Sequence, residues 1–220
     1  MTLSPFGKSF DAFLFDMDGT ILSSIAATER VWGAWAEGHG IDRETFLPTI
    51  HGVRASDTIR RLDLGLDVER EAKNLLEAEM QDLDGIHPID GVAAFLKALP
   101  QNRWAIVTSA PLELAKRRMA AAGLPMATTI VSAEDVSHGK PSPECFELGA
   151  ERLGFNPHNC LVFEDAPAGI LAGETAGASV LVVTATHLHS PKTSRASINS
   201  YRELDLVIEE NGKLGLAMIA

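Results

Sequence analysis

Cysteine is scarce in this chain. Only Cys145 and Cys160 occur in 220 residues, too few for a disulfide scaffold and without the paired spacing of a zinc site. Both are expected to be free thiols, small buried apolar side chains of a protein kept in a reducing compartment. Basic residues are also in deficit: 19 Lys and Arg against 30 Asp and Glu leave a formal charge of -11. That balance works against nucleic acid, which needs a basic footprint, and against acidic membrane surfaces. No window holds the roughly 20 apolar residues of a membrane helix. Met1 to Ser9 has one lysine and no apolar run of the kind a signal sequence carries, so the expected location is cytoplasmic. Aromatics make up 6% of the chain, yet 45% of it is hydrophobic, enough for a large core and a small second domain. Internal repeats and low-complexity tracts are missing too.

What the chain has is one apolar run that stops abruptly at acids: Phe13-Leu14-Phe15-Asp16-Met17-Asp18-Gly19-Thr20. Phe10 to Phe15 reads as a short strand buried on both faces. Asp16 and Asp18 then lie at its carboxyl end, where open α/β sheets place their ligands. A turn beginning at Gly19 lets the two carboxylates splay around a common point. Negative charges so close together call for a cation, a proton or both.

Downstream, Ile25 to Gly38 carries Ile25, Val31, Trp32 and Trp35 at helical spacing, and the two tryptophans are expected to pack that helix. Further helices are expected over Ser56 to Leu62, started by a Ser56-Asp57 cap, and over Val68 to Leu83. From about Ser23 to Ile86 no strand is expected, so this part reads as a helical insertion. Strands and helices alternate afterwards. Helices are expected at Gly91 to Leu99, Pro111 to Ala122, Glu144 to Leu153 and Ala168 to Ala176. Strands are expected at Trp104 to Thr108, Thr129 to Ser132, Cys160 to Phe163 and Val180 to Val183. The fold class is therefore α/β, a doubly wound parallel sheet with a small inserted helical domain. Asn211-Gly212 predicts a closing hairpin between Leu206 to Glu209 and Leu214 to Ile219.

Polar residues recur at the strand ends. Thr108-Ser109 precede a helix whose free amides suit an anion, although capping that helix explains them as well. Ser137-His138-Gly139-Lys140-Pro141 sets one lysine in a turn, and Glu164-Asp165 end another apolar run. Adjacent acids in that position are costly without a cation. Asp16, Asp18 and Asp165, with Glu164 beside them, form an oxygen-only cluster suited to magnesium and facing phosphate-binding groups. The chemistry that fits is phosphoryl transfer.

In order and spacing, Asp16-Met17-Asp18-Gly19-Thr20, Val107-Thr108-Ser109, Lys140-Pro141 and Glu164-Asp165 resemble the haloacid dehalogenase-like hydrolases, over nearly the whole chain. Ile50-His51-Gly52-Val53-Arg54 with Asp57, and Phe163-Glu164-Asp165-Ala166-Pro167-Ala168-Gly169-Ile170, resemble the sugar and polyol phosphatases of that superfamily. The resemblance implies a Rossmann-like core at residues 1–22 and 87–220 with a helical cap at 23–86. It implies Asp16 as the nucleophile, forming an aspartyl-phosphate, and Asp18 as general acid and then general base. That needs Asp18 protonated in the first half, which acidic neighbours would favour. Magnesium would be held by the Asp16 carboxylate, the Asp18 carbonyl and Asp165, with Glu164 acting through water or from behind. Lys140 would pair with the phosphate and Asp16, while Thr108 and the Ser109 amide hold phosphoryl oxygens. His51 and Arg54 are the substrate-reading candidates. The implied partner is a small phosphorylated sugar or polyol; the sequence does not specify an assembly, and a monomer is the default.

Single positions separate the other reactions of the superfamily. An acid at Asp18 argues for phosphate over carbon–halogen chemistry, and Arg54 cannot form the Schiff base a phosphonate hydrolase needs. Thr28 stands near the place where a beta-phosphoglucomutase has histidine. A non-catalytic sugar-phosphate-binding protein on the same fold is a further alternative, opposed by the intact acids and lysine. The sequence departs from the family at Ser23 and Asp90, where an acid and a proline are usual, and at Ala110-Pro111, where glycine is common. His187-x-His189 reads as a solvated loop.

Overall fold

The computed structural model describes residues 4–186 and 195–219, so His187 and His189 lie outside the described residues. Six parallel strands form the main sheet, in the order Thr129–Val131, Trp104–Val107, Ala12–Phe15, Cys160–Glu164, Ser179–Val183 and Ser197–Ile198. Strand β1 is Ser9–Phe10, β2 Ala12–Phe15, β3 Leu22–Ser23, β4 His87–Pro88, β5 Trp104–Val107 and β6 Thr129–Val131. The remaining strands are β7 Cys160–Glu164, β8 Ser179–Val183, β9 Ser197–Ile198, β10 Leu204–Ile208 and β11 Leu214–Met218. Helices α1 Ile25–Gly38, α2 Arg43–Phe46, α3 Ala55–Leu62 and α4 Val68–Gln81 fall between β3 and β4. Helices α5 Val92–Ala98, α6 Leu112–Ala121, α7 Glu144–Leu153 and α8 Pro167–Thr175 alternate with the later strands.

Strand β2 is central because every side chain it carries is apolar and finds a covered face. Ala12 and Leu14 pack with Cys145, Phe146 and Ala172 on one side of the sheet. Phe13 and Phe15 pack with Phe95, Trp104, Phe163 and Tyr201 on the other. Phe15 stacks on Phe163 at 4.4 Å between ring centroids, which fixes the spacing of β2 and β7 at the end where the acids emerge. The expected single strand from Phe10 to Phe15 is interrupted at Asp11, whose amide donates to Asn159 O at 2.8 Å. Ser9–Phe10 therefore leaves the main sheet and pairs antiparallel with β11. The expected hairpin is present as β10 and β11, closed by Glu209 N to Lys213 O at 2.9 Å.

Helices α1 to α4 enclose an apolar cluster of their own, Trp32, Ala36, Phe46, Leu47, Ile50, Ile59 and Leu75, separate from both faces of the sheet. Trp32 and Trp35 sit within it at 5.7 Å from each other, packing the helix as their spacing predicts. The β3–β4 ribbon pairs Leu22 with Pro88 and Ser23 with His87, gathering entry and exit of this unit at one place. Helix α3 begins at Ala55 with Arg54 in the capping position, not at a Ser56-Asp57 cap. The reason is that the Asp57 carboxylate is taken by Arg54 and Arg60.

Candidate active site

The loop after β2 is held by its own backbone. Met17 O accepts from the amides of Thr20, Ile21 and Leu22, and Gly19 N donates to Leu22 O at 2.7 Å. Gly19 has φ +91°, and a Cβ placed there would lie 2.1 Å from Asp165 Oδ2. Only glycine permits both the turn and the approach of Asp165. The same turn sends the two aspartates different ways. Asp16 faces Lys140, Glu164 and Asp165, whereas the Asp18 carboxylate accepts from Ser24 Oγ at 2.6 Å and from Arg118 Nη1 at 3.1 Å.

Lys140 Nζ is buried between Asp16 Oδ1 at 2.5 Å and Glu164 Oε1 at 2.8 Å, and it also donates to Val107 O at 3.2 Å. Glu164 Oε2 accepts from Ala166 N at 2.7 Å, so both of its oxygens are engaged. Gly169 on α8 lets this carboxylate fit, since a Cβ there would fall 1.5 Å from Glu164 Oε1. Asp165 accepts from Thr20 Oγ1 at 3.2 Å. One ligand atom from each of Asp16, Glu164 and Asp165 lies within 4.8 Å of the others.

Three buried carboxylates thus share one ammonium. Burial raises the Asp16 carboxyl to about 7, against the pull of Lys140 and helped by Glu164 and Asp18. Burial, then Glu164 and Asp16, push Asp165 well above the ordinary carboxylate range. Burial works against the charge of Lys140, but Asp16 and Glu164 more than restore it and hold the ammonium above its usual value. A site with this excess of buried negative oxygen is suited to a hard divalent cation, and its all-oxygen donors fit that test. Asp18, expected among the clustered acids, does not join them: among the described residues the cluster is Asp16, Glu164 and Asp165, because the turn at Gly19 sends the Asp18 side chain to Ser24 and Arg118 instead.

A cavity of about 80 Å³ opens beside Asp16 and is also lined by Asp18, Thr108, Ser109, His51, Glu79 and Arg118. Thr108 Oγ1 accepts from Ala110 N at 3.0 Å, and Ser109 Oγ donates to Gly52 O at 3.0 Å. The Thr108-Ser109 hydroxyls therefore serve the local turn and the seam to the helical unit. His51 Nε2 lies 3.5 Å from Glu29 Oε1 on the cavity wall. Arg54 is elsewhere: its guanidinium binds Asp57 and donates to Val136 O at 3.1 Å and Ser137 O at 3.2 Å. It ties the helical unit to the loop that delivers Lys140.

Two charged residues that sequence reasoning missed stand in this cavity. Arg118, only 5% exposed, donates through Nη2 to Glu79 Oε1 at 2.9 Å and to Thr28 Oγ1 at 3.0 Å, in addition to its bond to Asp18. Burial opposes its charge, and Asp18 and Glu79 sustain it. Burial raises the Glu79 carboxyl, with Arg118 opposing and Asp18 adding to the rise. The neighbour expected to influence Asp18 was an acid, but the nearest charged side chain is this guanidinium.

A family model described as haloacid dehalogenase-like hydrolase matches residues 10–177. Hexitol phosphatase A of Escherichia coli (strain K12) is 38% identical over 207 residues, covering 91% of this chain and 95% of the relative. Glycerol-1-phosphate phosphohydrolase 1 of Saccharomyces cerevisiae is 33% identical over 199 residues, covering 84% and 79%. Among solved structures, beta-phosphoglucomutase from Clostridium difficile superposes with a TM-score of 0.76 at 23% identity, covering 89% of this chain and 93% of that one. A hydrolase from Pseudomonas syringae gives 0.73 at 24% identity, covering 86% and 93%. At these identities the two structures speak for the fold alone.

Proposed function

The chain belongs to the haloacid dehalogenase-like hydrolases, and on that premise we propose that it is a phosphatase of small phosphorylated sugars or sugar alcohols working through Asp16. In this reading an Asp16 oxygen attacks phosphorus, the bond from phosphorus to the substrate oxygen breaks, and Asp18 gives its proton to that departing oxygen. Asp18 then takes a proton from the water that attacks the aspartyl-phosphate, which releases inorganic phosphate and restores Asp16. Lys140 holds Asp16 in line and offsets charge on the phosphoryl group, and Thr108 with the Ser109 amide receives its oxygens. Asp16, the Asp18 carbonyl and Asp165 would hold magnesium, with Glu164 supporting them from behind through Lys140. When bound, the ion supplies charge neutralisation for the phosphoryl oxygens.

One observation carries this reading: Asp16 stands at the end of the central strand between Lys140 and two buried acids, with Asp18 opening onto the same cavity. Two relatives above 30% identity are named a hexitol phosphatase and a glycerol-1-phosphate phosphohydrolase, which supports the same substrate class for this chain. The phosphomutase alternative has less support, since Thr28, standing near the mutase histidine, is bonded to Arg118. We read residues 23–86 as the cap, with His51 as its substrate contact and Arg54 as its anchor to the core. The two buried free cysteines fit a cytoplasmic protein, and the charge of -11 works against nucleic acid and acidic membranes, so a small anionic substrate relies on the local positive charge of Lys140 and a bound cation; a monomer is the default assembly.

The test is phosphate release from a panel of hexose, hexitol, deoxy-sugar and glycerol phosphates with magnesium present. Turnover of at least one is expected, and Asp16→Asn should abolish it with the thermal transition retained. Full activity of Asp16→Asn would remove the nucleophile assignment, and binding without turnover across the panel would favour a sensor.

A further inference from the structure

Arg118 projects from the last turn of α6 and reaches three segments at once. Its Nη1 lies 3.1 Å from Asp18 Oδ1 in the core loop, and its Nη2 donates to Thr28 Oγ1 on α1 and Glu79 Oε1 on α4. Ser24 Oγ donates to that same Asp18 Oδ1 at 2.6 Å. Among the described residues no bond reaches Asp18 Oδ2. A carboxyl group held by two donors on one oxygen cannot rotate freely, and the other oxygen is left to carry the proton. Oδ1 has lone pairs for both bonds whether or not Oδ2 carries a proton.

We propose that Arg118 is a positioning residue for Asp18: with Ser24 it fixes Oδ1 so that Oδ2 presents the proton to the departing oxygen, while Glu79 and Thr28 set the plane of the guanidinium. A guanidinium is a planar fork, so its direction at Asp18 follows from what grips its other end. That grip comes from two helices of the inserted unit. The orientation of the acid–base group is thereby tied to the seating of α1 and α4 on α6. This rests on the phosphatase reading and adds a residue to it.

The experiment compares phenyl phosphate with p-nitrophenyl phosphate, alongside the sugar and polyol panel, using kcat/KM of the 220-residue chain with magnesium. A nitrophenolate leaves without a proton, whereas a phenolate or alkoxide needs one from Asp18. Arg118→Met should lower kcat/KM for phenyl phosphate and for the best panel substrate about a hundredfold, and for p-nitrophenyl phosphate less than about tenfold. Arg118→Lys should fall between, and Glu79→Gln should move the same ratio in the same direction by a smaller factor. Removing Arg118 alone leaves Glu79 buried and unpaired, so the double variant Arg118→Met with Glu79→Met reads the ratio in a chain free of that penalty. Equal losses on both aryl esters, or no loss, overturn the proposal. A wild type that cleaves the aryl esters but none of the panel overturns the substrate class and leaves the ratio readable. A wild type that cleaves neither overturns both.

Discussion

Gly19 shows how narrow the tolerance is at single positions. Its φ of +91° and the 2.1 Å gap to Asp165 Oδ2 mean that a methyl group would displace one member of the acidic cluster. Gly19→Ala should cut turnover by at least about tenfold and should abolish the rise in melting temperature that magnesium gives the wild type, since binding to the folded state is what raises it. Calorimetry with and without the ion checks this; an unchanged magnesium shift would mean that the cluster tolerates the displacement. Asp16, Asp18, Lys140, Glu164 and Asp165 were visible in the sequence because each polar residue follows an apolar run or sits in a turn next to one. Arg118 and Glu79 were not. Lys116-Arg117-Arg118 has the look of a solvated charge run, and α4 is charged along much of its length, so nothing local separates the two residues that turn inward. Their role is set by contact between distant segments.

At the scale of elements, alternation and length were enough to place the parallel strands β5 to β8 and their helices within a residue or two. Short pieces escaped: α2 has four residues and β9 two, and neither is long enough to show a period. The break at Asp11 was also hidden, because it comes from a bond to Asn159 almost 150 positions away. The turn after β6 carries a local prediction. Ser132 N and Oγ both donate to Asp135 Oδ2, at 2.8 and 2.7 Å, and Arg152 on α7 pairs with Asp135 Oδ1 at 2.5 Å. The Arg152 bond first, then the Ser132 bonds, lower the Asp135 carboxyl from 3.8 to about 2. The folded state therefore prefers the ionised form, and the stabilisation is present above pH 3.8 and lost as pH falls through about 2. With Asp135 partly exposed, solvent screening limits the effect to roughly 1 kcal/mol. Urea titrations should find Asp135→Asn less stable than the wild type by that amount at pH 6, with the gap closing toward pH 3. A gap that stays constant with pH would assign the loss to packing.

At the scale of the whole molecule, helices α1 to α4 and the sheet each hold apolar clusters, and at the seam between them Ala27 of α1 with Leu76 and Met80 of α4 joins the cluster on one face of the sheet. What crosses the seam beside the cavity is largely polar: Ser109 to Gly52, Arg118 to Thr28 and Glu79, and Arg54 to the carbonyls of Val136 and Ser137. Polar contacts of this kind depend on geometry and release more readily than a buried apolar face, which accords with the proposed reading of residues 23–86 as a cap. The Arg54 tie is braced on two sides, because Asp57 fixes its fork and Gly139 leaves room for it, a Cβ at that glycine falling 2.5 Å from Arg54 Nε. Its two carbonyl acceptors sit three and four residues before Lys140, so the tie steadies the loop that carries the Lys140 ammonium. Arg54→Met should raise KM by about tenfold with a smaller fall in kcat, as expected when a positioning contact outside the chemistry is lost. Hydrogen exchange should quicken at residues 136–140 in the same variant while β5 and β7 keep their protection. If exchange in that loop stays at the wild-type rate while KM rises, Arg54 acts on the substrate directly and the anchoring role is wrong.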